Sequence, residues 1–346
     1  MSRRSFGQHP LVQLTLFRIY DFIREPEAIF WVLAFPAILA AGLGVAFRGE
    51  GATPVGVAVV TPVLADVVRT EPLLSVEEMT SVAARDALAR GQVVLVVEPG
   101  PDAGVVFRFD DTNPEGRAAR ALADRAVQVA AGRVDPVRAA DDVAREPGTR
   151  YIDFLVPGLV GMGIMGNAIW GLGFAIVDAR RRKLMKRIVA TPMPRHYYLL
   201  SHLLWRMLLL VFEVGIPVLV GVIGFGMPLR GSIVDLVAIA TFGSLAFSSI
   251  GLLVASRART IEAVSGLTNL VLLPMWVLSG VFFSAKRFPD AIQPFINALP
   301  LTALNDALRA SMLQGTRVWD LGAELGILAG WLVVCFALAM KLFRWK

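Results

Sequence analysis

Apolar residues along this chain occur in blocks of about twenty, long enough to cross the roughly 30 Å hydrocarbon core of a membrane as helices. Shorter polar segments separate the blocks, and each block is apolar enough to insert despite an occasional polar residue. The pattern therefore predicts six transmembrane helices, at residues 29–47, 151–177, 198–225, 232–256, 261–283 and 320–341.

The residues before the first block follow a different pattern. Apolar side chains such as Phe17 recur at helical spacing among charged ones such as Arg18, which is typical of an amphipathic helix lying in the membrane interface. Pro26 breaks this helix before the first apolar block begins. We predict a cytoplasmic interfacial helix within residues 1–27, followed by transmembrane helix 1 at 28–47. The alternative is a plain extension of that transmembrane helix.

A segment of different composition lies between the first two blocks. Residues 48–150 hold sixteen acidic residues, twelve arginines and no lysine, which is a net charge of −4. Because the whole chain has a formal charge of +6, the residues outside this segment have a net charge of +10. Runs typical of strands (PVGVAVV, QVVLVVEP, AGVVFRFDD) alternate with stretches typical of helices (SVEEMTSVAARDALARG, EGRAARALADRAVQVAAG). We predict an α-helical polytopic membrane protein with a small α/β domain inserted between helices one and two.

The apolar composition and the position of the basic residues explain the positive charge of the chain. Of the 346 residues, 55% are hydrophobic, and the mean hydropathy is +0.62, too apolar for an ordinary soluble domain. The basic clusters lie beside the apolar blocks, at residues 3–24, 180–195, 257–259 and 341–346. With six spans all four clusters fall on one face, so the positive-inside bias predicts cytoplasmic termini and an extracytoplasmic inserted domain. No nucleic-acid partner is needed to explain the charge.

An enzyme or a self-contained pump would need a recognisable catalytic motif. The sequence contains no G-x-x-x-x-G-K-[ST] phosphate loop, no H-E-x-x-H and no G-x-S-x-G elbow. Its three histidines are scattered, and its single cysteine, Cys335, lies in the last apolar block, so we predict no metal site. The glycines of GLVGMGIMGNAIWGLG in the second block suit close helix packing or a flexible helix. We expect a chain that is not an enzyme and binds no cofactor itself.

Polar residues inside the predicted spans are candidates for function, because burying them in a membrane is unfavourable. Arg206 and Glu213 lie seven residues apart in the third span, on one helical face. Two interpretations are open: contact with a transported substrate, or pairing of one or both with a neighbouring helix. Asn167 and Asn269 either face the same translocation path or supply hydrogen bonds between helices.

The most informative polar segment is the basic loop after the second span, near residues 180–195. For its basic residues alone, an ordinary cytoplasmic loop is the simpler interpretation. Its LMKRIVATP, however, resembles the L-x-[KR]-R-[LI]-x-x-T-P element of the type-2 permeases of ATP-binding-cassette (ABC) transporters, where the element forms the coupling helix that docks onto the ATPase. The resemblance implies coupling residues Arg182, Lys183, Leu184, Met185, Lys186, Arg187, Ile188, Thr191 and Pro192.

A second segment, residues 261–309, is similar to the fifth span and the following hairpin of that family. The positions of the family's pattern are held by Pro274, Ser279, Gly280, Pro289 and Pro300. The hairpin, residues 284–316, is too polar and too interrupted by proline for full spans, and its irregular backbone needs shielding by protein or water. We predict that it re-enters the outer leaflet and forms, with these five residues, part of an outer gate.

The resemblance covers nearly the whole chain, since the order of one span, an inserted domain and a five-helix domain at 151–346 also matches. It implies a multi-pass permease subunit of an exporter in the bacterial cytoplasmic (inner) membrane, where membrane lipids surround the protein. The exporter would move a lipid, drug or other amphiphile out across that membrane. The resemblance also implies two copies of a separate cytoplasmic ABC ATPase, which hold the ATP and Mg, and a second permease, identical or related.

Two other classes of function remain open. One is a membrane-anchored sensor whose domain at residues 48–150 binds a ligand. The other is an integral membrane enzyme, for which the sequence offers no catalytic constellation above chance.

Overall fold

The computed structural model describes residues 9–46, 54–101, 104–134, 150–181, 195–258 and 260–342. The chain forms two compact units, one made of Met1–Arg48 with Arg145–Lys346 and the other of Gly49–Ala144. We call the first the membrane unit and the second the inserted domain.

Six helices of the described membrane unit are long and apolar enough to cross a membrane, and we call them spans 1 to 6. They are Pro26–Ala46, Tyr151–Arg181, Leu204–Gly224, Ile233–Arg257, Ile261–Leu278 and Gly322–Leu342. Span 1 contains a π-helical turn at Phe30–Ala34, and span 3 ends in another at Val220–Gly224. The helix that contains span 3 begins earlier, at Arg195. The prediction of a polytopic helical membrane protein with six spans is confirmed.

The ends of spans 4 and 5 follow local capping signals. Ser232 Oγ accepts the N–H of Val234 before span 4, and Thr260 Oγ1 accepts the N–H of Ala263 before span 5. Span 5 ends at Leu278 and not at residue 283, so its predicted end is wrong. The apolar run continues past a glycine in the left-handed conformation (Gly280, φ +69°), which stops the helix whatever the hydrophobicity of the next residues.

A separate helix, Pro10–Ile23, precedes span 1 and ends before Pro26. We call it the N-terminal helix. It packs against the start of span 3, where the ring centroids of Phe22 and Trp205 lie 5.2 Å apart. Its location in the membrane interface stays a prediction.

Spans 2 and 4 form the centre of the membrane unit. Within the most apolar 18 residues of each span, 50% are buried in span 2 and 56% in span 4, against 17% in spans 1 and 6. Fully buried side chains from both central spans, such as Leu155, Ile164 and Phe247, make up one continuous apolar core. Span 5 is 22% buried, so spans 1, 5 and 6 present broad apolar faces that the described residues of the membrane unit leave uncovered.

The hairpin between spans 5 and 6 is built from short elements. These are the 3-10 turns Ala285–Arg287 and Asp290–Ile292, the helices Gln293–Asn297 and Pro300–Arg309, and the π-helical turn Ala310–Gln314. We call Pro300–Arg309 the hairpin helix. It is too short to cross a membrane, and most of its residues are buried against spans 2, 4 and 6.

The inserted domain contains a four-stranded sheet in the order β2-β1-β3-β4. The strands are β1 (Val55–Val59), β2 (Leu74–Glu78), β3 (Leu95–Pro99) and β4 (Val105–Phe109). Strand β1 runs parallel to β2 and β3, and β4 pairs antiparallel with β3. Alternate side chains of the sheet face helices Pro62–Val68 and Pro114–Ala130 on one side and helix Ser81–Ala89 on the other. The segment is thus a three-layer α/β domain.

One stretch that we predicted to be helical begins as a strand. Residues Leu74–Glu78 form β2, and the helix starts only at Ser81, after the N-cap Thr80. Its two glutamates are tolerated because β2 lies at the edge of the sheet, where they are exposed. Parallel pairing with β1 therefore overrides the helical preference of the local sequence.

One carboxylate of the inserted domain is buried among hydrogen-bond donors. Glu98 of β3 is 7% exposed and accepts hydrogen bonds from Arg108 Nε at 2.8 Å, Ser81 Oγ at 2.9 Å and Arg85 Nη2 at 3.2 Å. These donors, Arg108 foremost, lower the pKa of Glu98 from 4.5 to about 2. Because the folded-state pKa is the lower one, the carboxylate stabilises the fold fully above about pH 4.5, and this contribution is lost as the pH falls towards 2.

We expect Glu98→Gln to lower the free energy of unfolding of the inserted domain by about 1–3 kcal/mol at neutral pH, because hydrogen bonds to a charged group are lost. Hydrogen exchange of the β3 amides in the full-length chain measures this loss. The wild type should become less protected below about pH 4.5, whereas the variant should show a flatter pH profile. Glu77→Gln, at an exposed position of β2, is the control, and an equal effect there would contradict the assignment to this cluster.

Candidate functional site

Two charged side chains are buried together inside span 3. Arg206 Nη1 lies 2.6 Å from Glu213 Oε1, and the side chains are 17% and 1% exposed. Seven residues correspond to about 10.5 Å along a helix, so the long arginine side chain reaches two turns along its own span. Their closest charged partners are therefore each other, and not a residue of a neighbouring helix.

The pair also connects span 3 to both central spans. Arg206 Nε donates to Ser244 Oγ of span 4 at 3.0 Å, and Nη2 donates to the carbonyl oxygen of Ile164 in span 2 at 3.4 Å. Asn167 of span 2 faces the Glu213 carboxyl group. We call Asn167, Arg206, Glu213 and Ser244 the ion-pair cluster.

One oxygen of this cluster has its hydrogen-bonding capacity unused. Glu213 Oε2 is buried and has no hydrogen-bond partner among the described residues. A buried carboxylate is stable only when its remaining acceptor sites are satisfied. Asn167, whose side chain faces this carboxyl group, is the described residue placed to supply such a hydrogen bond.

Asn269, the fourth predicted path residue, is not a member of the cluster. It is exposed on span 5, beside the exposed apolar residues Leu270 and Leu273. An amide on such a face is unfavourable against lipid tails. The position therefore suits a surface that faces a polar path or another polypeptide.

The break after span 5 is held by two side chains of the hairpin helix. Asn305 Nδ2 donates to the carbonyl oxygen of Ser279 at 3.0 Å, and Arg309 Nη2 donates to that of Gly280. Carbonyl groups at a helix end have no intrahelical partner, and inside a membrane they need one from the protein. Sequence reasoning missed Asn305, although its position four residues before Arg309 places both on one helical face.

The same arginine ties the hairpin helix to span 2. Its guanidinium carbon lies 3.8 Å from the centre of the Phe154 ring, and Nε donates to the Phe154 carbonyl oxygen at 3.4 Å. Span 2 approaches so closely that a Cβ atom at Gly158 would lie 2.6 Å from the Val281 carbonyl oxygen, and one at Gly161 would overlap Asn305 Oδ1. Close packing is thus confirmed as the role of these two glycines.

The five residues predicted for the gate do not share one environment. Ser279 and Gly280 form the buried turn, and Pro300 is the buried first residue of the hairpin helix. Pro274, within span 5, and Pro289, before the 3-10 turn at Asp290–Ile292, are exposed.

The predicted coupling residues lie outside the described residues: Arg182, Lys183, Leu184, Met185, Lys186, Arg187, Ile188, Thr191 and Pro192. The structure describes the end of span 2 that leads into them. Arg180 Nη1 donates to the carbonyl oxygen of Ala255 in span 4 at 2.9 Å. The Arg181 guanidinium interacts electrostatically with Glu262, in the first turn of span 5. The end of span 2 is therefore linked to the adjacent ends of spans 4 and 5.

A second buried carboxylate lies at the opposite end of span 2. Asp153 is fully buried and pairs with Arg150 at 3.2 Å. The same guanidinium donates to the carbonyl oxygens of Phe225 and Gly226, directly after span 3. We missed this pair because we assigned Arg150 to the inserted domain, although an acid three residues after an arginine is a recognisable helical pairing.

These features define a multi-pass helical membrane protein in which buried polar groups join the spans. A family model described as "ABC-2 family transporter protein" matches residues 26–341, and the chain belongs to this family. It is therefore a membrane transport permease of the ABC type.

Three relatives show the range of the similarity. Nodulation protein J of Bradyrhizobium diazoefficiens is 30% identical over 207 residues, which is 58% of this chain and 77% of the relative. Inner membrane transport permease YadH of Escherichia coli is 25% identical over 199 residues, 57% of this chain and 76% of the relative. ABC transporter G family member 20 of Dictyostelium discoideum is 27% identical over 201 residues, 56% of this chain, which spans only 27% of that longer relative.

We expect Glu213→Leu to destabilise the membrane unit by about 3–5 kcal/mol, because it leaves the Arg206 charge buried without its partner. The double variant Arg206→Met/Glu213→Leu should recover most of this loss, since it removes both charges. Thermal unfolding of the purified chain in detergent compares the three proteins. A double variant as unstable as the single one would contradict the compensation inferred here.

We expect Gly161→Ala to lower the melting temperature, because its methyl group would displace Asn305 from the Ser279 carbonyl oxygen. Gly163→Ala is the matched control in the same helix, where an added Cβ meets no atom within 4 Å. It should leave the protein unchanged or stabilise it by up to about 1 kcal/mol through helix propensity. The same thermal assay reads both variants, and equal melting temperatures would argue against the contact.

Proposed function

We propose that the chain is the permease subunit of an ABC exporter, which moves an amphiphile such as a lipid or drug outward across the cytoplasmic membrane. A separate ATPase supplies the energy and holds the ATP and Mg. The observation that carries this proposal is the family match over residues 26–341, which covers all six spans except the last residue of span 6. The relative YadH is named as a transport permease of the inner membrane, which supports the same role and location.

The described contacts suggest how force from an ATPase would enter the membrane unit. The segment that resembles a coupling element follows directly on the end of span 2, which is bound to span 4 through Arg180 and interacts with span 5 through Arg181. Movement of that segment would act on three spans together, and not on a single flexible loop. In this proposal two ATPase copies act on two permeases.

A second permease copy is proposed from the faces that one chain leaves uncovered. Only 22% of span 5 is buried, and its exposed face carries Asn269 among apolar residues. A partner permease, identical or related, would cover such a face or enclose a polar path with it. The ion-pair cluster would be a further polar point beside that path, with Glu213 Oε2 buried in the state described here.

The orientation is proposed from the positive-inside bias. Basic clusters at 3–24, 180–195, 257–259 and 341–346 would lie in the cytoplasm with both termini. The inserted domain and the hairpin would then lie on the outer side, where the Ser279–Gly280 turn and the hairpin helix would form part of a gate. The Arg309 contacts to Phe154 and Gly280 would hold that gate closed in the state described here.

A sensor remains the second candidate because of one feature of the inserted domain. A groove of about 600 Å³ is lined by Phe107 and Phe109 of β4 and by Arg117 and Arg120 of the adjacent helix. Arg120 lies over the Phe107 ring and 3.9 Å from Asp124. A guanidinium group beside aromatic surface suits an anionic ligand with an apolar part. An ATPase that co-purifies with the chain would favour the exporter over a sensor without one.

We expect Lys186→Glu/Arg187→Glu to lower the amount of co-purifying ATPase at least about tenfold, because it reverses the charge of the segment proposed to dock there. The tagged chain is purified from its native host, and the ATPase is identified by mass spectrometry through its phosphate-loop motif. Arg117→Glu/Arg120→Glu is the control, with an identical change of charge in the inserted domain. Undiminished ATPase with the first variant would refute the coupling assignment.

A further inference from the structure

A cavity lies where the N-terminal helix crosses spans 2 and 3. Two contacts hold this helix in place: Arg18 Nε donates to the fully buried Ser201 Oγ at 3.3 Å, and the ring of Phe22 packs against that of Trp205. Between them a cavity of about 290 Å³ remains open. It is distinct from the ion-pair cluster and from the turn after span 5, whose residues do not line it.

The walls of the cavity divide by chemistry. The N-terminal helix contributes three charged groups: Arg18, Asp21 and Glu25. Phe22 and Trp205 supply aromatic surface, while span 2 contributes only small residues, Gly171 and Ala175, which keep the space open. The result is a site with a charged side and an apolar side.

The charge in the cavity is net negative. Neither Asp21 nor Glu25 has an ion-pair partner within the described part of the chain, and both are exposed. Arg18, in contrast, already donates to Ser201. The cavity therefore has two carboxylates and one guanidinium group that is already hydrogen-bonded, and two aromatic rings lie beside them. This combination favours a cation with apolar substituents and disfavours a purely anionic group.

The cavity lies at one end of the membrane unit. Glu25 directly precedes span 1. The 31 residues of span 2 extend about 46 Å, well beyond the roughly 30 Å hydrocarbon core, so its last turns reach the head-group region. Ala175 lies six residues before the end of that helix. The position of Glu25 before span 1 and that of Ala175 near the end of span 2 therefore place the cavity near the level of the lipid head groups.

The size of the cavity limits what it can hold. Its 290 Å³ falls just below the range of about 300–1,000 Å³ that is usual for sites enclosing a whole drug-sized ligand. A head group fits within this volume, whereas a complete lipid does not. The tail would extend from the open side into the bilayer.

We propose that this cavity binds the ammonium head group of an amphiphile in the leaflet next to the N-terminal helix, with Asp21 and Glu25 as its counter-charges and Phe22 and Trp205 as its aromatic wall. The inference deepens the proposed export function, and rests on it in treating this as the point where cargo enters. The ligand is either an aminophospholipid of the membrane or a free cationic amphiphile.

Binding is measured by native mass spectrometry of the full-length chain in a nonionic maltoside detergent. Short-chain phosphatidylethanolamine, short-chain phosphatidylglycerol and dodecyltrimethylammonium are titrated separately. We expect the wild type to bind at least one ammonium-bearing probe about tenfold more tightly than phosphatidylglycerol. Preference for phosphatidylethanolamine alone identifies a membrane lipid as the source, and preference for dodecyltrimethylammonium alone identifies a free amphiphile.

Two independent variants test the location. Asp21→Asn/Glu25→Gln removes the counter-charges and should abolish the tenfold preference. Gly171→Leu fills the cavity from the opposite wall and should weaken both ammonium probes, and because a Cβ there meets no atom within 4 Å, the substitution is compatible with the fold. Glu77→Gln/Asp111→Asn, which removes two exposed carboxylates of the inserted domain, should change nothing.

The proposal is overturned if phosphatidylglycerol binds as well as the ammonium probes, or if the preference persists in Gly171→Leu. Should Asp21→Asn/Glu25→Gln fail to give a monodisperse protein, Gly171→Leu alone decides. No ATPase is present in this assay, so its outcome is separate from the co-purification test. A chain that retains its ATPase but shows no ammonium preference would refute the head-group site and leave the exporter proposal standing.

Discussion

Hydrocarbon offers no hydrogen bonds, and this constraint governs the least regular part of the membrane unit. Span 5 stops at Leu278, so the carbonyl groups of the following turn need partners from the protein. Asn305 and Arg309 supply them, which draws the hairpin helix into the centre of the bundle. Span 2 can then approach only through positions without a side chain, Gly158 and Gly161. One helix break thus determines the packing of three elements.

The buried charges obey the same constraint with a different outcome. Arg206 and Glu213 neutralise each other along one helix, and the arginine's other donors join span 3 to spans 2 and 4. Glu98 in the inserted domain instead accepts hydrogen bonds from three side chains, which lower its pKa to about 2 and give it a structural role. Glu213 lies instead between Arg206 of its own span and Asn167 of span 2, so its charge is balanced by one partner and not by several.

Different parts of the membrane unit have structural contacts and proposed transport roles. One end of span 2 leads into the proposed coupling segment and is tied to spans 4 and 5, and the other end is fixed by Arg150 and Asp153 to the backbone after span 3. The ion-pair cluster lies between them. The proposed head-group cavity is formed by small residues of span 2 and by a helix outside the bundle, where a ligand could enter without disturbing the core.

The number and position of the spans and the strands β1, β3 and β4 follow from the sequence, because hydrophobic length and alternation are local properties. The family could also be predicted from the sequence, because its motifs are contiguous segments of the chain. The end of span 5, the strand β2 and the contacts of Arg206 with spans 2 and 4 could not be predicted from the sequence, because each depends on groups distant in sequence. A strand exists only where another strand pairs with it, and a glycine is required only where a second backbone or side chain comes close. Tertiary structure alone brings Asn305 to the Ser279 carbonyl group and Asp21 to Trp205, and hydrogen bonding and charge act only across such contacts.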